Sequence, residues 1–394
     1  MQTKKTKTPY GHNEYFSALD GFRGLLALFV AIYHTVWFSN INGLVFFANG
    51  TVMIDLFFAL SGFLMFHIYD GKLKNNNDTK AFLKRRFARL YPLHIFMLAV
   101  FVLFAVIRLA AHKVGIATHE VGEILPFTPG AEENWLSLLS HITLTHAAGV
   151  NDSLTFNYPA WTISAEFFAY FAFILIMLWA RPKRFMHFAV LGGVAVSLYV
   201  ILSRLKPDMN ITYDYAVLRC LAGFFIGMIA AKCYAYVRPK VVNMSPKNRY
   251  SVFSVLEVIV LVSSTLFIIY CGGKLQFFVA PFLLAFIFIF AFDGGIVSTV
   301  MSTKLFHYLA KISYSTYMTH VIIAIGFDIF IKVALVKVLP EWNEGWGGDI
   351  LLLVYLCVVI GVSHLTYRYV ELPGGKFIRN FDFGKFRKPV TKSA

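Results

Sequence analysis

Long apolar runs separated by short polar segments make up most of this 394-residue chain. A helix needs about 17–25 apolar residues to cross the hydrocarbon core of a membrane, and ten runs are long enough. The predicted spans lie near residues 18–38, 50–70, 90–108, 161–180, 185–203, 214–236, 251–270, 275–292, 312–336 and 349–369. The pattern therefore predicts an all-α polytopic membrane bundle of about ten transmembrane helices.

The polar segments suggest one membrane domain, residues 18–370, between tails at 1–17 and 371–394. The segment 109–160 is too long for a bare connector. Its ENWLSLLSHITLTH portion has apolar residues at helical spacing, which predicts a helix on the outer face. Within 71–89, KAFLKRRFARL predicts a basic amphipathic helix that runs into the third span. Asp20 and Arg23 separate the basic N-terminus from the apolar run of the first span. This span is therefore expected to be retained and not removed as a signal peptide.

Composition agrees with a membrane protein, since 58% of the residues are hydrophobic and only 14% are charged. The net charge of +15 is distributed unevenly. Of 36 Lys and Arg residues, 27 lie in segments on the side of the N-terminus and 7 on the other side. Positive residues favour cytoplasmic loops, so both termini are predicted to be cytoplasmic and no nucleic-acid partner is expected. The four cysteines lack metal-ligand spacing, and no metal is expected.

Two ionisable residues flank a run of ten uncharged residues within the first predicted span. Eleven positions separate Arg23 from His34. On an α-helix this spacing gives about 1100° of rotation and about 16.5 Å of rise, so both side chains are predicted on one face. Arg23 is expected near the cytoplasmic surface, where it could simply extend to the interface. His34 is expected near the outer end, where a buried imidazole is either a satisfied structural group or part of a polar cavity.

Three further ionisable residues are expected at the depth of His34. Asp55 and Glu166 lie about five residues into spans that enter from outside, and Arg219 lies at a similar depth in the sixth span. Each could form a structural ion pair. Together with His34 they also suggest a polar chamber suited to general acid–base chemistry.

Basic residues of the KRRFARLYP run lie on the cytoplasmic side. Arg86 and Arg89 are three residues apart on one helical face, a spacing that suits binding of phosphate oxygens. Topology anchoring or contact with anionic lipid are the alternatives. A ligand with phosphates at these arginines and a reactive end at His34 would span a distance comparable to an extended pantetheine arm.

The chain resembles the acyltransferase-3 family of membrane O-acyltransferases. The resemblance rests on LDGFRGLLALFVAIYH, IDLFFALSGF, FLKRRFARLYP, PAWTISAEFFAYF, KISYSTYMTH and YRYVELPGG, in that order. It implies an acyl-coenzyme A donor from the cytoplasm, expected to be acetyl-CoA, and an acceptor hydroxyl on a carbohydrate or lipid-linked glycan. It also implies an integral protein of a bacterial inner (plasma) membrane that works beside polysaccharide-assembly proteins.

Two features depart from the family. Met53 stands where a glycine often precedes the acidic residue of the second span. Many members also carry an additional extracytoplasmic esterase-like domain, whereas this sequence continues for about 25 residues after the last predicted span. Any second transfer step is therefore expected to be done by another protein.

The resulting hypothesis assigns catalysis to His34, Asp55 and Glu166, and donor binding to Arg23, Arg86 and Arg89. His34 is either the general base or an acyl carrier, and either carboxylate could orient its ring. The residues expected to contact the acceptor are Arg219, Trp161 and Tyr317. Two rivals use the same residues: a proton-coupled transporter of an anionic sugar or acyl metabolite, and a non-catalytic assembly partner.

Overall fold

The computed structural model describes residues 15–115, 124–335 and 345–381, and these residues form helices and turns without a strand. Nine helices in this part of the chain are long and apolar enough to cross a membrane. This confirms the predicted all-α bundle. Most of both tails and the middle of the 109–160 segment lie outside the described residues, so the expectations for them stay predictions.

The helices are numbered in chain order. Those of the first half are α1 (Ser17–Tyr33), α2 (Val45–Ala48), α3 (Met53–Tyr69), α4 (Asn76–Lys113), α5 (Trp135–Ile142), α6 (Trp161–Leu175) and α7 (Phe185–Leu205). Those of the second half are α8 (Ala216–Val242), α9 (Pro246–Tyr270), α10 (Ala280–Phe290), α11 (Ile296–Met301), α12 (Lys304–Phe330), α13 (Trp346–Thr366) and α14 (Leu372–Asn380). The 3₁₀ turns before α3, α6 and α10 are Gly50–Val52, Tyr158–Ala160 and Gly273–Val279, and the π turns after α6, α12 and α13 are Ile176–Ala180, Ile331–Leu335 and Tyr367–Glu371.

The two ends of α1 define the two sides of the bundle. On the side where α1 begins, here called the N-terminal side, the backbone N–H groups of Ser17 and Ala18 donate to Asp293 at 2.9 and 2.8 Å. On the opposite side, here called the far side, the Asn49 amide donates to the carbonyl of Ile268 at 2.9 Å. The N-terminal side corresponds to the predicted cytoplasmic side.

Glycines allow the central helices to touch backbone to backbone. A Cβ on Gly62 of α3 would lie 1.9 Å from the carbonyl oxygen of Phe224 in α8, and one on Gly227 of α8 would lie 1.9 Å from that of Ala59 in α3. Small residues have this role in membrane bundles because close approach replaces a hydrophobic driving force. Gly24 packs α1 against α12 in the same way, which brings the first span beside the helix that carries His320.

The short helix α5 confirms the helix predicted within the 109–160 segment. The Asn134 side chain accepts from the Ser137 N–H at 2.9 Å, and the Ser137 hydroxyl accepts from the Asn134 N–H at 2.9 Å, so the helix starts with a capping box. Its exposed residues are all large and apolar: Trp135, Leu136, Leu139 and Ile142. Such a face suits a helix lying in the membrane interface.

Helix boundaries differ from the predicted spans where basic residues extend a helix beyond its apolar run. The helix α4 is continuous from Asn76, which confirms that the KAFLKRRFARL segment runs into the third span. The helix α12 begins at Lys304 rather than near 312. Eight additional residues correspond to about 12 Å of rise, so side chains of α12 lie closer to the far side than the span pattern indicated.

We expect Gly227→Ala to destabilise the protein, because the added methyl group would overlap the Ala59 carbonyl oxygen and separate α3 from α8. Overpacking of this kind costs about 1–3 kcal/mol. The matched control is Gly193→Ala, where a Cβ meets no atom within 4 Å. Melting temperatures in detergent check this, and equal melting of Gly227→Ala and wild type would contradict the backbone contact.

Candidate functional site

His34 is the residue that ends α1 on the far side. Its Nδ1 lies 2.9 Å from the carbonyl oxygen of Val30, one turn earlier in α1. The same nitrogen lies 3.1 Å from Nε2 of His320 in α12. His320 is fully buried, whereas His34 is half-buried. Two histidines from different helices therefore share one hydrogen-bonded contact.

The neighbouring carbonyl groups determine which nitrogens carry protons. A carbonyl oxygen only accepts, so Nδ1 of His34 donates to Val30, and Nδ1 of His320 donates to the Thr316 carbonyl at 3.2 Å. Neutral His320 then has its lone pair on Nε2, which accepts from Nδ1 of His34. Consequently, Nε2 of His34 carries the free lone pair, and it has no hydrogen-bond partner among the described residues.

Aromatic residues surround this histidine pair. The ring of Tyr158 lies 5.3 Å from that of His34, and the ring of Tyr317 lies 5.9 Å from that of His320. The Tyr317 hydroxyl donates to the Pro159 carbonyl at 3.1 Å. These contacts position the segment before α6 beside the imidazoles, so the predicted substrate residue Tyr317 is close to His34.

Asp55 and Arg219 form a buried ion pair with each other. The shortest contact joins Nη2 of Arg219 to the Asp55 carboxylate at 2.7 Å, and both side chains are at most 1% exposed. The remaining guanidinium donors bind carbonyl oxygens of Met209, Ile211 and Thr51 at 2.6–3.2 Å. The ring of Trp161, also predicted to bind substrate, lies 5.4 Å from the guanidinium carbon. The predicted Asp55, Arg219 and Trp161 are thus brought together in one structural cluster.

Glu166 lies deeper than Asp55. Its carboxylate accepts from the hydroxyl of Ser61 and from that of Tyr170, the latter at 2.7 Å. Ser61 is six residues after Asp55 on α3, which corresponds to about 9 Å. Within the described ranges neither carboxylate is hydrogen-bonded to His34, whose side-chain partners are Val30 and His320. Catalytic roles for Asp55 and Glu166 stay predictions.

The predicted donor-binding arginines lie toward the N-terminal side in three different environments. Arg23 pairs with Asp20 at 2.8 Å, and Arg89 pairs with Glu371. Arg86 stacks on a phenylalanine ring and has neither an ion pair nor a hydrogen bond with any described residue. The buried Nε atoms of Arg23 and Arg86 both lack a hydrogen-bond partner in the part of the chain that the structure describes. Of the two arginines predicted to bind phosphate together, Arg89 is therefore held by Glu371, whereas Arg86 has no polar partner among the described residues.

Neither His320 nor Glu371 is among the catalytic or binding residues that the sequence predicts. Glu371 binds Arg89 and accepts from the Ser315 hydroxyl at 2.8 Å, so it joins the end of α13 to α4 and α12. Both residues lie in quoted motifs, KISYSTYMTH and YRYVELPGG. The span pattern begins α12 near residue 312 rather than at Lys304, so it gives no sign that His320 reaches the depth of His34.

A second histidine cluster adjoins Tyr158. The rings of His141 and His146 stack at 3.9 Å, and His94 of α4 lies 5.8 Å from His146. His141 and His146 line a small void together with Tyr158. Burial lowers the pKa of His146 to about 4 and that of His141 well below its usual value, with the neighbouring histidines adding to the shift. The cluster is therefore uncharged at neutral pH.

No three His, Cys, Asp or Glu side chains in residues 15–115, 124–335 and 345–381 are grouped so that they could hold a metal ion.

Comparison with known proteins identifies relatives along most of the chain. A family profile described as an acyltransferase domain matches residues 16–368. A protein of Staphylococcus aureus strain COL, named as a putative O-acetyltransferase, is 24% identical over 401 aligned positions, which cover 95% of this chain. The peptidoglycan O-acetyltransferase OatA of Listeria monocytogenes is 24% identical over 94% of this chain. Protein 2 of the picA locus of Rhizobium radiobacter is 35% identical over 39% of this chain and 78% of its own length.

The alignments cover only part of the longer relatives. They span 59% of the staphylococcal protein and 57% of the Listeria protein. No solved structure matches the chain.

We expect Asp55→Ala to lower stability by about 3–5 kcal/mol, because Arg219 would remain buried without its counter-charge. The double variant Asp55→Ala/Arg219→Leu should recover part of this loss, since it removes both charges. Thermal melting in detergent checks the order of the three proteins. Wild-type melting of Asp55→Ala would instead indicate that the ion pair does not support the fold.

We expect stability to fall with acidification through the histidine cluster. The pKa of folded His146 is about 4, below the unfolded value of about 6.5. Its contribution to stability is therefore complete above pH 6.5 and is lost progressively as the pH falls toward 4. Melting of wild type and His146→Phe between pH 7.5 and 4 tests this. Parallel curves would contradict the assignment, whereas we expect a shallower slope in His146→Phe.

Proposed function

The chain belongs to the acyltransferase-3 family, and on this basis we propose that it moves an acyl group, acetyl in the simplest case, from acyl-CoA to a hydroxyl of a carbohydrate or lipid-linked glycan. The observation that carries the proposal is the free Nε2 of His34, opposite a ring nitrogen held by Val30 and His320. The proposed setting is a bacterial inner membrane, with transfer on the far side and polysaccharide-assembly proteins as partners.

In this proposal the donor enters from the N-terminal side. Among the described residues, the Arg86 guanidinium has no hydrogen-bond or ion-pair partner and the Nε of Arg23 has none either. Arg89, held by Glu371, adds positive charge on the same helix. Phosphates would bind these groups, because arginine donors match phosphate oxygens in geometry and charge. The regular helix α1 then separates Arg23 from His34 by about 16 Å, which the pantetheine arm would bridge.

The reaction requires one group beside the thioester that removes the proton of the acceptor hydroxyl and later gives it to the leaving thiolate. Nε2 of His34 takes the proton from the acceptor hydroxyl while the hydroxyl oxygen attacks the thioester carbonyl carbon. The tetrahedral intermediate collapses, the C–S bond breaks, and the same nitrogen returns the proton to the leaving thiolate. The products are the ester and free CoA. If the imidazole carries the acyl group instead, the attacking atom is the same nitrogen.

His320 is proposed as a positioning residue. Its Nε2 accepts the Nδ1 proton of His34, which fixes both the tautomer and the ring orientation. Two acceptors at Nδ1, one from His320 and one from Val30, also stabilise the imidazolium that forms during transfer. This is the task that a carboxylate performs in a serine-hydrolase triad. A neutral imidazole suits a buried site because it introduces no unpaired charge.

The other predicted residues are proposed to shape the passage and the acceptor end. Tyr317 lies beside the histidine pair. Asp55 and Arg219 are proposed to act on the acceptor indirectly, by holding the ring of Trp161. Glu166 would provide a polar lining part of the way between the arginines and His34.

We expect His34→Ala to lower kcat by about 10²–10⁴-fold, the usual contribution of a general acid–base group. His320→Ala should lower kcat by about 10²-fold through misplacement of the ring, with little change in KM for acyl-CoA. His320→Gln, whose side-chain oxygen can accept the Nδ1 proton, should retain more activity than His320→Ala. The assay measures release of free CoA and labelled ester by purified protein.

His187→Ala is the matched control, because this half-buried histidine lies in the first turn of α7, away from the pair. Wild-type transfer by His34→Ala would contradict the assignment. Labelled acyl-enzyme trapped without acceptor would identify His34 as an acyl carrier. Counterflow of unmodified glycan in liposomes, without consumption of acyl-CoA, would favour a transporter.

A further inference from the structure

Four tyrosines lie around the histidine pair, and their hydroxyl groups fall into two classes. The hydroxyls of Tyr317 and Tyr355 each donate to a backbone carbonyl at 3.1 Å. The hydroxyls of Tyr33 and Tyr158 have no hydrogen-bond partner among the described residues. The first class holds the helices together, whereas the second class is left to bind something other than this part of the protein.

The two tyrosines without a partner are the ones whose rings contact His34. The ring of Tyr33 lies 4.9 Å from the imidazole at an angle of 83°, and the ring of Tyr158 lies 5.3 Å from it. Tyr33 is 37% exposed, and the hydroxyl of half-buried Tyr158 is accessible, as is Nε2 of His34. A ligand on the far side can therefore touch both phenol groups and the proposed base at once.

Tyr33 is oriented toward the loop between α7 and α8. Its ring packs on Gly50, where a Cβ would lie 3.2 Å from Cδ2. Its hydroxyl lies within electrostatic reach of Arg219 and Asp208. Tyrosines that only anchor a helix in the membrane interface face the lipid headgroups. The contacts of Tyr33 instead place it at the opening above His34.

The loop supplies a carboxylate at this opening. Arg219 binds the carbonyl oxygens of Met209 and Ile211 at 2.6 and 3.2 Å, so the loop is fixed to the core of the bundle. Asp208 accepts from the N–H of Asn210 at 2.9 Å through Oδ1, and its carboxylate has no other hydrogen bond or ion pair in the described ranges. One carboxylate oxygen thus remains as an acceptor in a fixed position.

These three groups have the chemistry of a sugar site. A sugar ring presents C–H bonds that its oxygen atoms polarise positively, and the face of an aromatic ring is negative. Sugar hydroxyls both donate and accept, as do phenol hydroxyls, and they can donate to a carboxylate. An anionic ligand would be repelled by Asp208, because like charges in contact disfavour binding. The groups therefore favour an uncharged sugar.

We propose that Tyr33, Tyr158 and Asp208 form the acceptor site, here called the sugar site, and that it binds an uncharged sugar ring with one hydroxyl at Nε2 of His34. The inference rests on the proposed function, since it names the acceptor of that reaction. It also gives Arg219 a second task, which is to fix the loop that carries Asp208.

The test uses Tyr33→Phe and Tyr158→Phe in the full-length protein. Each change removes only a hydroxyl that has no partner among the described residues, so melting temperatures should equal that of wild type. The acceptor KM should rise by about 3–10-fold, the effect of one hydrogen bond, with the KM for acetyl-CoA unchanged. Asp208→Asn should raise the acceptor KM by a similar factor, and Tyr158→Leu, which also removes the ring, by about tenfold or more.

The acceptors are the methyl glycosides of glucose, galactose, mannose and N-acetylglucosamine, with methyl glucuronide as the anionic member. Tyr270→Phe is the matched control, because this tyrosine ends α9 on the far side and is 76% exposed. Wild-type acceptor KM in Tyr33→Phe, Tyr158→Leu and Asp208→Asn would overturn the sugar site and indicate interfacial anchoring. A lower kcat with unchanged acceptor KM would place the hydroxyls at the thioester, and acylation of the glucuronide alone would exclude an uncharged sugar.

A binding measurement separates this inference from the proposed function. Saturation-transfer NMR detects glycosides bound to the protein in nanodiscs of neutral lipid without any donor. We expect His34→Ala to bind them like wild type, and Tyr158→Leu and Asp208→Asn to weaken binding. Binding with this dependence in a protein that transfers no acyl group would refute the function and keep the sugar site. Acyl transfer by a protein that binds none of the glycosides would do the reverse.

Discussion

Polar groups inside a membrane bundle must find their partners within the protein, and this constraint determines which groups remain available for chemistry. Asp55 and Arg219 satisfy each other, with three backbone carbonyls completing the guanidinium. Glu371 likewise holds Arg89. After these pairings, nitrogen atoms without a hydrogen-bond partner among the described residues remain on His34, on the histidines of the second cluster and on arginines toward the N-terminal side. The proposed site, with a base at one end and anion-binding groups at the other, rests on this selection.

The first helix connects the two ends of the site. Its N-terminus is capped by Asp293, and its last turn orients His34. Gly24 places this helix in backbone contact with α12, and that contact is the reason His320 can reach His34. A donor whose phosphates and reactive thioester are separated by a long flexible arm matches such a layout. The negatively charged phosphates of the donor can remain near the membrane surface while the acyl group reaches the neutral histidine pair.

Neutrality of the reactive pair has a physical advantage over the carboxylate–imidazole arrangement expected from the sequence. A carboxylate beside His34 would have to be kept charged in a region of low dielectric, where desolvation is costly. His320 supplies an acceptor without a charge, and a backbone carbonyl supplies the second. The carboxylates bind cations or hydroxyl groups instead. Glu166, for example, accepts hydrogen bonds from the hydroxyls of Ser61 and Tyr170.

The sequence by itself determined the all-α membrane architecture, the helical extension into the third span, the helix within the long segment and the eleven-residue spacing of Arg23 and His34. Each of these depends on local periodicity or on the rise of a single helix, so no information about neighbouring helices was needed. Only the tertiary structure decided which ionisable groups meet. Counting residues along separate helices predicted Asp55, Glu166 and Arg219 in one layer. Which side chains form pairs depends also on the rotation of each helix, on the start of α12 at Lys304 and on the glycine contacts between helices. For that reason His320, rather than a carboxylate, is the partner of His34.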